Sequence, residues 1–185
     1  MSTMLTFEDA LQEIKQSATL RVVPQTIALS NAAGRILAKD IVADIFVPPH
    51  DNSAMDGYAL ASGDWQADKA FTISQRVPAG QSAQPLVPGT CARIFTGANI
   101  PSGADTVIMQ EDAKCVDDHV AFAHPPKKGD NIRPKGQDMQ AGQTVIKAGE
   151  KISPMHIGLL SSLGITNITV YKLLRVGILT TGDEL

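Results

Sequence analysis

Aromatic residues, cysteine pairs, long apolar runs and any surplus of charge are all scarce in this sequence, and each scarcity excludes a class of function. Aromatic side chains make up 4% of the 185 residues. That is too few for a platform on which nucleic-acid bases stack, so aliphatic side chains must supply most of the core. The 16 basic and 19 acidic residues give a net charge of −3 with no basic stripe. Neither a nucleic acid nor an anionic membrane surface is therefore an expected partner. No apolar stretch approaches the length of a membrane span, and Glu8 and Asp9 stand where a signal peptide needs an apolar run. The two cysteines, Cys91 and Cys115, are too few for a disulfide framework and too far apart for a metal knuckle. Both are expected as buried thiols, and a reducing cytoplasm fits. The sequence also lacks a Gly-x-Ser-x-Gly elbow, a Walker loop and a dinucleotide fingerprint, and its four histidines do not show zinc-ligand spacing.

What is present is a soluble-type composition, 43% hydrophobic, enough for a real core. Thr6 with Asp9 three residues on makes a capping-box arrangement. The helix it opens places Phe7, Ala10, Leu11 and Ile14 on one face. A second short helix is expected from Ser30, with Leu29, Ala32, Ala33, Ile36 and Leu37 on its buried side and Gly34 inside it. From Asp40 the period shortens. Ile41–Val47, Gly57–Leu60, Phe71–Val77, Ala92–Phe95, Thr106–Glu111 and Val120–Ala123 read as strands, with a hairpin tip at Asp117-Asp118. Gly129, Gly136, Gly142 and Gly149 read as turns rather than a solenoid repeat. A third helix has Ser153 as cap, Pro154 at its first position and Gly164 after its end, followed by a strand through Ile165, Ile168 and Val170. Val176–Leu179 is a continuous apolar run of the kind that is buried on both faces in a parallel sheet. The chain reaches Leu185 without a crossover helix or a neighbouring strand for it, so the α/β domain it opens reads as truncated.

Four stretches could carry chemistry. Pro48–Ala59 packs Asp51, Asn52, Ser53 and Asp56 around a turn between strands. Such a set suits oxygen ligation of a divalent cation or orientation of a polar substrate, and equally suits Asx-turns in which the side chains bond nearby backbone. Thr96 and Gly97 end a strand, where a hydroxyl and free backbone N–H groups could hold an oxyanion. Arg133 and Lys135 could meet phosphate or another anion, and Asp138 could join a metal site; the same residues suit a solvated loop. The last stretch is Thr181-Gly182-Asp183-Glu184, at the end of the apolar run. Ligands collect at the carboxyl ends of strands in such sheets.

Pro-Pro-His-Asp-Asn-Ser-Ala-Met-Asp-Gly-Tyr-Ala, then Ile-Phe-Thr-Gly-Ala with Pro-x-Gly-Ala-Asp-Thr-Val-Ile-Met-Gln-Glu, then Asn-Ile-Arg with Gly-Gln-Asp, then Ser-Leu-Gly and Thr-Gly-Asp-Glu-Leu occur in one order. In that order and spacing the sequence resembles the molybdopterin molybdenumtransferases, a family that includes the C-terminal domain of gephyrin. The resemblance runs over roughly residues 5 to 185.

It implies an α+β, β-rich fold: an elongated discontinuous domain of residues 1–46 and 140–174 that mediates dimerisation, an inserted compact β-rich domain of 47–139, and at 175–185 the first strand of a molybdopterin-binding α/β domain. It implies insertion of molybdate into adenylylated molybdopterin with release of AMP, dependent on Mg²⁺. Asp56, Thr96, Asp138 and Glu184 match catalytic positions, with Asp56, Asp138 and Glu184 as cation ligands. Asp51, Asn52, Ser53, Gly97, Arg133 and Asp183 stand at substrate-binding positions. The implied partners are a second copy of the chain, the pterin and molybdate, and other proteins of molybdenum cofactor biosynthesis. The family often has an aromatic where His50 stands and Glu where Gln137 stands. The rival reading is a non-catalytic dimeric binding or scaffold module.

Overall fold

The computed structural model describes residues 5–17, 22–178 and 180. Its contacts divide the chain into two compact units, Met1–Ile41 with Thr144–Leu185, and Val42–Gln143. These boundaries fall a few residues outside 46/47 and 139/140. The reason is a local ladder in which Ala43 N–H donates to Gln143 O (2.9 Å) and Gly142 N–H to Ala43 O (2.8 Å), and this ladder belongs to the second unit.

In the first unit, helix α1 spans Phe7–Ser17. Its start is capped as the sequence indicates: Asp9 N–H donates to Thr6 Oγ1 at 3.2 Å and the Thr6 hydroxyl to Asp9 Oδ2 at 2.7 Å. Strand β1 (Pro24–Ala28) leads into a single 3₁₀ turn, Leu29–Asn31. The helix expected from Ser30 is not formed. Gly34 takes φ +76°, which turns the chain, and Ile36 and Leu37 go instead into antiparallel bridges to Lys151 and Val170. Their helix-like spacing is a coincidence of a turn between two buried segments.

Strands β2 (Ile41–Val42) and β11 (Thr144–Ile146) flank the second unit in sequence. Helix α2 (Pro154–Ser162) has Ser153 as N-cap: Ser153 Oγ accepts from His156 N–H, and the His156 ring accepts from Ser153 N–H, both at 3.3 Å. Gly164 closes it at φ +73°. Strand β12 (Asn167–Tyr171) then pairs antiparallel with β1 in a ladder from Ala28↔Asn167 to Pro24↔Tyr171. The core here is wholly aliphatic: Leu29, Leu37, Ile146, Ile152, Leu160 and Val170 pack together. Val176 and Ile178 lie outside any strand and are exposed. Among the described residues of this run the expected buried strand is not formed; no other strand pairs with them.

The second unit is built on a mixed six-stranded sheet. Its strands are β4 (Gly57–Leu60), β5 (Ala70–Val77), β6 (Cys91–Ile94), β7 (Thr106–Met109), β8 (Ala113–Val116) and β9 (His119–Phe122). Their order is β7-β4-β6-β5-β9-β8, with β5 and β6 parallel and the other neighbours antiparallel. Every residue of β4 is buried. Alternation sends Tyr58 and Leu60 to one face and Ala59 to the other, so two cores form, one on each face. Phe71, Phe122 and Tyr58 make an aromatic cluster with centroids 5.6 and 5.8 Å apart. Two short strands, β3 (Asn52–Ser53) and β10 (Ile132–Arg133), pair antiparallel beside this sheet.

Cys91 is buried as expected, and its surroundings push the thiol pKa up to about 12, mainly by desolvation. Cys115 is exposed, contrary to expectation: it lies opposite Val120 on edge strand β8, near the hairpin tip at Asp117-Asp118, where no further strand covers it. Gly129, Gly136, Gly142 and Gly149 all sit in turns at positive φ. No described helix is long and apolar enough to cross a membrane.

Candidate functional site

The polar stretch around Asp56 sits where three strand ends meet. Gly57, the first residue of β4, is paired with Ile94 at the end of β6 and with Met109 at the end of β7. The close approach at this joint needs glycine, since a Cβ at position 57 would collide with the Ile108 carbonyl. Asp56, immediately before it, is half-buried and reaches over the end of β6. There Asp56 Oδ1 accepts both the Thr96 N–H (2.8 Å) and the Thr96 hydroxyl (2.7 Å). These two bonds, the hydroxyl first, hold the Asp56 carboxyl below its ordinary pKa against a smaller opposing desolvation, with a further contribution from the Arg93 charge.

The sequence alternatives for this stretch were cation ligation and local Asx-turns. The carboxylates form no Asx-turn; they bond residues far along the chain, Asp56 to Thr96 and Asp51 to Lys135. Asp51 Oδ1 accepts Lys135 N–H at 2.7 Å, and Asp51 O accepts Ile100 N–H at 3.0 Å. Only Ser53 closes its own turn, its hydroxyl donating to Met55 O at 2.5 Å. Ser53 is also clamped on the backbone, its N–H to Ala98 O (2.9 Å) and its carbonyl from Gly97 N–H (2.8 Å). Asn52 lies opposite Arg133 in the β3–β10 pair and bridges to Asn99.

The backbone donors after β6 are not free. Thr96 N–H serves Asp56, Gly97 N–H serves Ser53, and Ala98 N–H serves Phe95 O at 2.9 Å. The oxyanion that the Thr96 hydroxyl holds is the protein's own carboxylate. Gly97 takes φ +81°, which directs its N–H to Ser53.

Asp138 is engaged elsewhere, in an ion pair with Arg133 at 3.2 Å in which both side chains are 51% exposed. Such a pair contributes about 0–1 kcal/mol. Gln137 and His50 are exposed. His50, Asp51, Asn99 and Lys135 line an open groove of about 480 Å³. Asp183 and Glu184 lie outside the described residues. The structure thus brings Asp56 to Thr96, Asp51 to Lys135 and Arg133 to Asp138. Among the described residues, no group of three or more His, Cys, Asp or Glu could hold a metal ion. A divalent cation takes several oxygen donors at once, so these residues do not by themselves make its site.

Two further residues hold the joint, Arg93 just outside the motif stretches and Gln110 inside one of them. Arg93 donates to Gly57 O at 2.9 Å and Ile94 O at 3.2 Å, and it reaches Gln110 Oε1 at 2.5 Å. Gln110 N–H in turn donates to Asp56 O at 3.1 Å. The one available hint was a charged residue at an inward position between Ala92 and Ile94.

A β-rich unit that clasps an aspartate at a three-strand joint, together in one chain with an aliphatic unit made from the two segments that flank it in sequence, defines a class of chain rather than a reaction. Residues 5–164 match the MoeA N-terminal region (domain I and II), and the chain belongs to that family. It is 40% identical to the molybdopterin molybdenumtransferase of Haemophilus influenzae, over 98% of this chain and 46% of that protein. It is 36% identical to molybdopterin molybdenumtransferase 2 of Mycobacterium tuberculosis, over 88% of this chain and 42% of that protein. The crystal structure of molybdopterin biosynthesis MoeA protein from Pyrococcus horikoshii superposes with a TM-score of 0.83 at 32% identity, covering 91% of this chain and 44% of that one. The chain spans less than half the length of the relatives it matches.

Proposed function

We propose that this chain forms the N-terminal part of an enzyme that inserts molybdate into adenylylated molybdopterin with release of AMP. The observation that carries the reading is the Asp56–Thr96 clasp, because it sets one ionised carboxylate at a strand joint inside the stretch through which the chain resembles its relatives. Thr96 occupies Oδ1 twice. Oδ2 is the oxygen left to accept a proton, orient water or meet a cation.

In this reading Asp138 joins Asp56 at the reacting phosphate once substrate is bound, and Arg133 exchanges its carboxylate partner for an anionic group. Asp51, Asn52, Ser53 and Gly97 hold the loop that presents Asp56. Mg²⁺, with Asp183 and Glu184, belongs to the same reading through the resemblance, and would supply charge neutralisation at the phosphate. The discontinuous unit serves as the dimerisation domain of a cytoplasmic enzyme.

Replacing Asp56 by Asn in the full-length enzyme tests the assignment. Molybdenum insertion should fall at least a hundredfold, with the fold intact by circular dichroism. An Asp56→Asn enzyme that inserts molybdenum at the normal rate would refute the role. The 185-residue chain alone should release no AMP from adenylylated molybdopterin, and release would show that the reaction needs nothing beyond it.

A further inference from the structure

Arg93 lies on β6 directly opposite Tyr58 of β4, on the sheet face that carries the aromatic cluster. Its guanidinium carbon lies over the Phe95 ring, 4.6 Å from the centroid, and over the Tyr58 ring at 5.2 Å. An ordinary surface arginine would do no more than this. Here, however, the edge of the same group also spends its donors on three acceptors. Gly57 O adjoins Asp56, Ile94 O is at the end of β6 two positions before Thr96, and Gln110 Oε1 belongs to the residue whose N–H holds the Asp56 carbonyl. Every partner of Arg93 thus neighbours one half of the clasp.

We infer that Arg93 is the positioning residue of the Asp56–Thr96 clasp, lacing together the ends of β4, β6 and β7 so that carboxylate and hydroxyl meet. The inference rests on the proposed function only for its catalytic consequence; the geometry stands without it. A lysine could not replace it, because a single ammonium nitrogen cannot occupy the two separate donor positions from which the guanidinium reaches Gly57 O and Ile94 O on one side and Gln110 Oε1 on the other. The spacing between Asp56 and Thr96 in sequence is forty positions, so their encounter depends on the register of β4 against β6. Arg93 fixes that register at its last pair, Gly57↔Ile94.

The test uses Arg93→Met and Arg93→Lys in this chain, read by the Thr96 amide resonance and by the titration of the Asp56 carboxyl carbon. Wild type should show a strongly hydrogen-bonded Thr96 amide and an Asp56 titration below the ordinary carboxylate range. In Arg93→Met the amide signal should move towards its unbonded position and the Asp56 midpoint should rise. Arg93→Lys restores the charge but not the fork, so it should return part of the midpoint and leave the amide displaced. In the full-length enzyme, Arg93→Lys should lower kcat about tenfold or more while KM changes little, as misplacement of a reacting group does.

A folded Arg93→Lys protein with wild-type amide position and wild-type kcat overturns the inference. Should Arg93→Met fail to fold, Gln110→Ala removes one partner only. It must displace the Thr96 amide in the same direction by less, and an unmoved amide counts against the inference. If the resonances move as expected while Asp56→Asn still inserts molybdenum, the positioning role stands and the proposed function falls.

Discussion

At the scale of single residues, the clasp ties ionisation to folding. The Asp56 pKa is depressed in the folded chain by Thr96. A depressed carboxylate pKa contributes stability above its unfolded value, and that contribution is lost as pH falls through the folded value. Thr96→Val removes the hydroxyl and should raise the Asp56 midpoint towards the ordinary value. The stability gap between wild type and variant should be constant at neutral pH, begin to shrink near the ordinary carboxylate value of about 4, and vanish only below the depressed wild-type midpoint, where Asp56 is protonated in both. Urea titrations at a series of pH values would measure it, and a gap that persists in acid would place the effect in packing instead. The two thiols should also separate cleanly. Cys115 is exposed, whereas Cys91 is buried and pushed up to about 12, so a disulfide reagent on the native chain at neutral pH should label Cys115 and spare Cys91 until the chain unfolds.

At the scale of elements, what could be read from the sequence was what neighbouring residues decide. Ser153 and Pro154 mark the start of α2 and Gly164 lies two residues past its end, and β4 was bounded correctly because its punctuation is equally local. The exact partner of a long-range contact has no such signature. Strand β1 went unread because Pro-Gln-Thr-Ile-Ala alternates weakly, and its partner β12 lies at the other end of the chain. Apolar spacing around Gly34 mimicked a helix because spacing does not encode the sign of φ. For the site, residue types were legible in the Pro48–Ala59 stretch, but the closing of Asp56 on Thr96 follows only from the pairing of β4 with β6. That pairing also yields a prediction. Gly57→Ala places a methyl against the main-chain oxygen of Ile108, which no rotamer can relieve, so β4 and β7 must part. A loss of about 1–3 kcal/mol or more is expected in denaturant unfolding. Gly63→Ala, whose Cβ would meet nothing within 4 Å, should be close to neutral. Equal effects at both positions would mean that the joint at Gly57 yields.

At the scale of the whole molecule, the question is what covers the apolar surface the chain leaves exposed. Phe7, Leu11 and Ile14 line one face of α1 with 77%, 39% and 66% of their surface exposed, and no residue of this helix is buried. An 11-residue helix is marginal in water without a packing partner, and its cap supplies only about 1 kcal/mol. Its stability therefore depends on contact with something outside the described residues. The dimer implied by the family resemblance would provide that contact, since a two-fold interface sets the same apolar face of two copies together. Sedimentation equilibrium of the 19.6 kDa chain should then give about twice the monomer mass. Phe7→Asp with Ile14→Asp puts two carboxylates on that face, and should return the mass to that of a monomer and lower the helical signal. The six-stranded sheet lies in the other compact unit, so its unfolding transition should be unchanged. A wild-type chain that sediments as a monomer at all concentrations would remove α1 from the dimer interface. The exposed face would then have to meet residues of the same polypeptide instead.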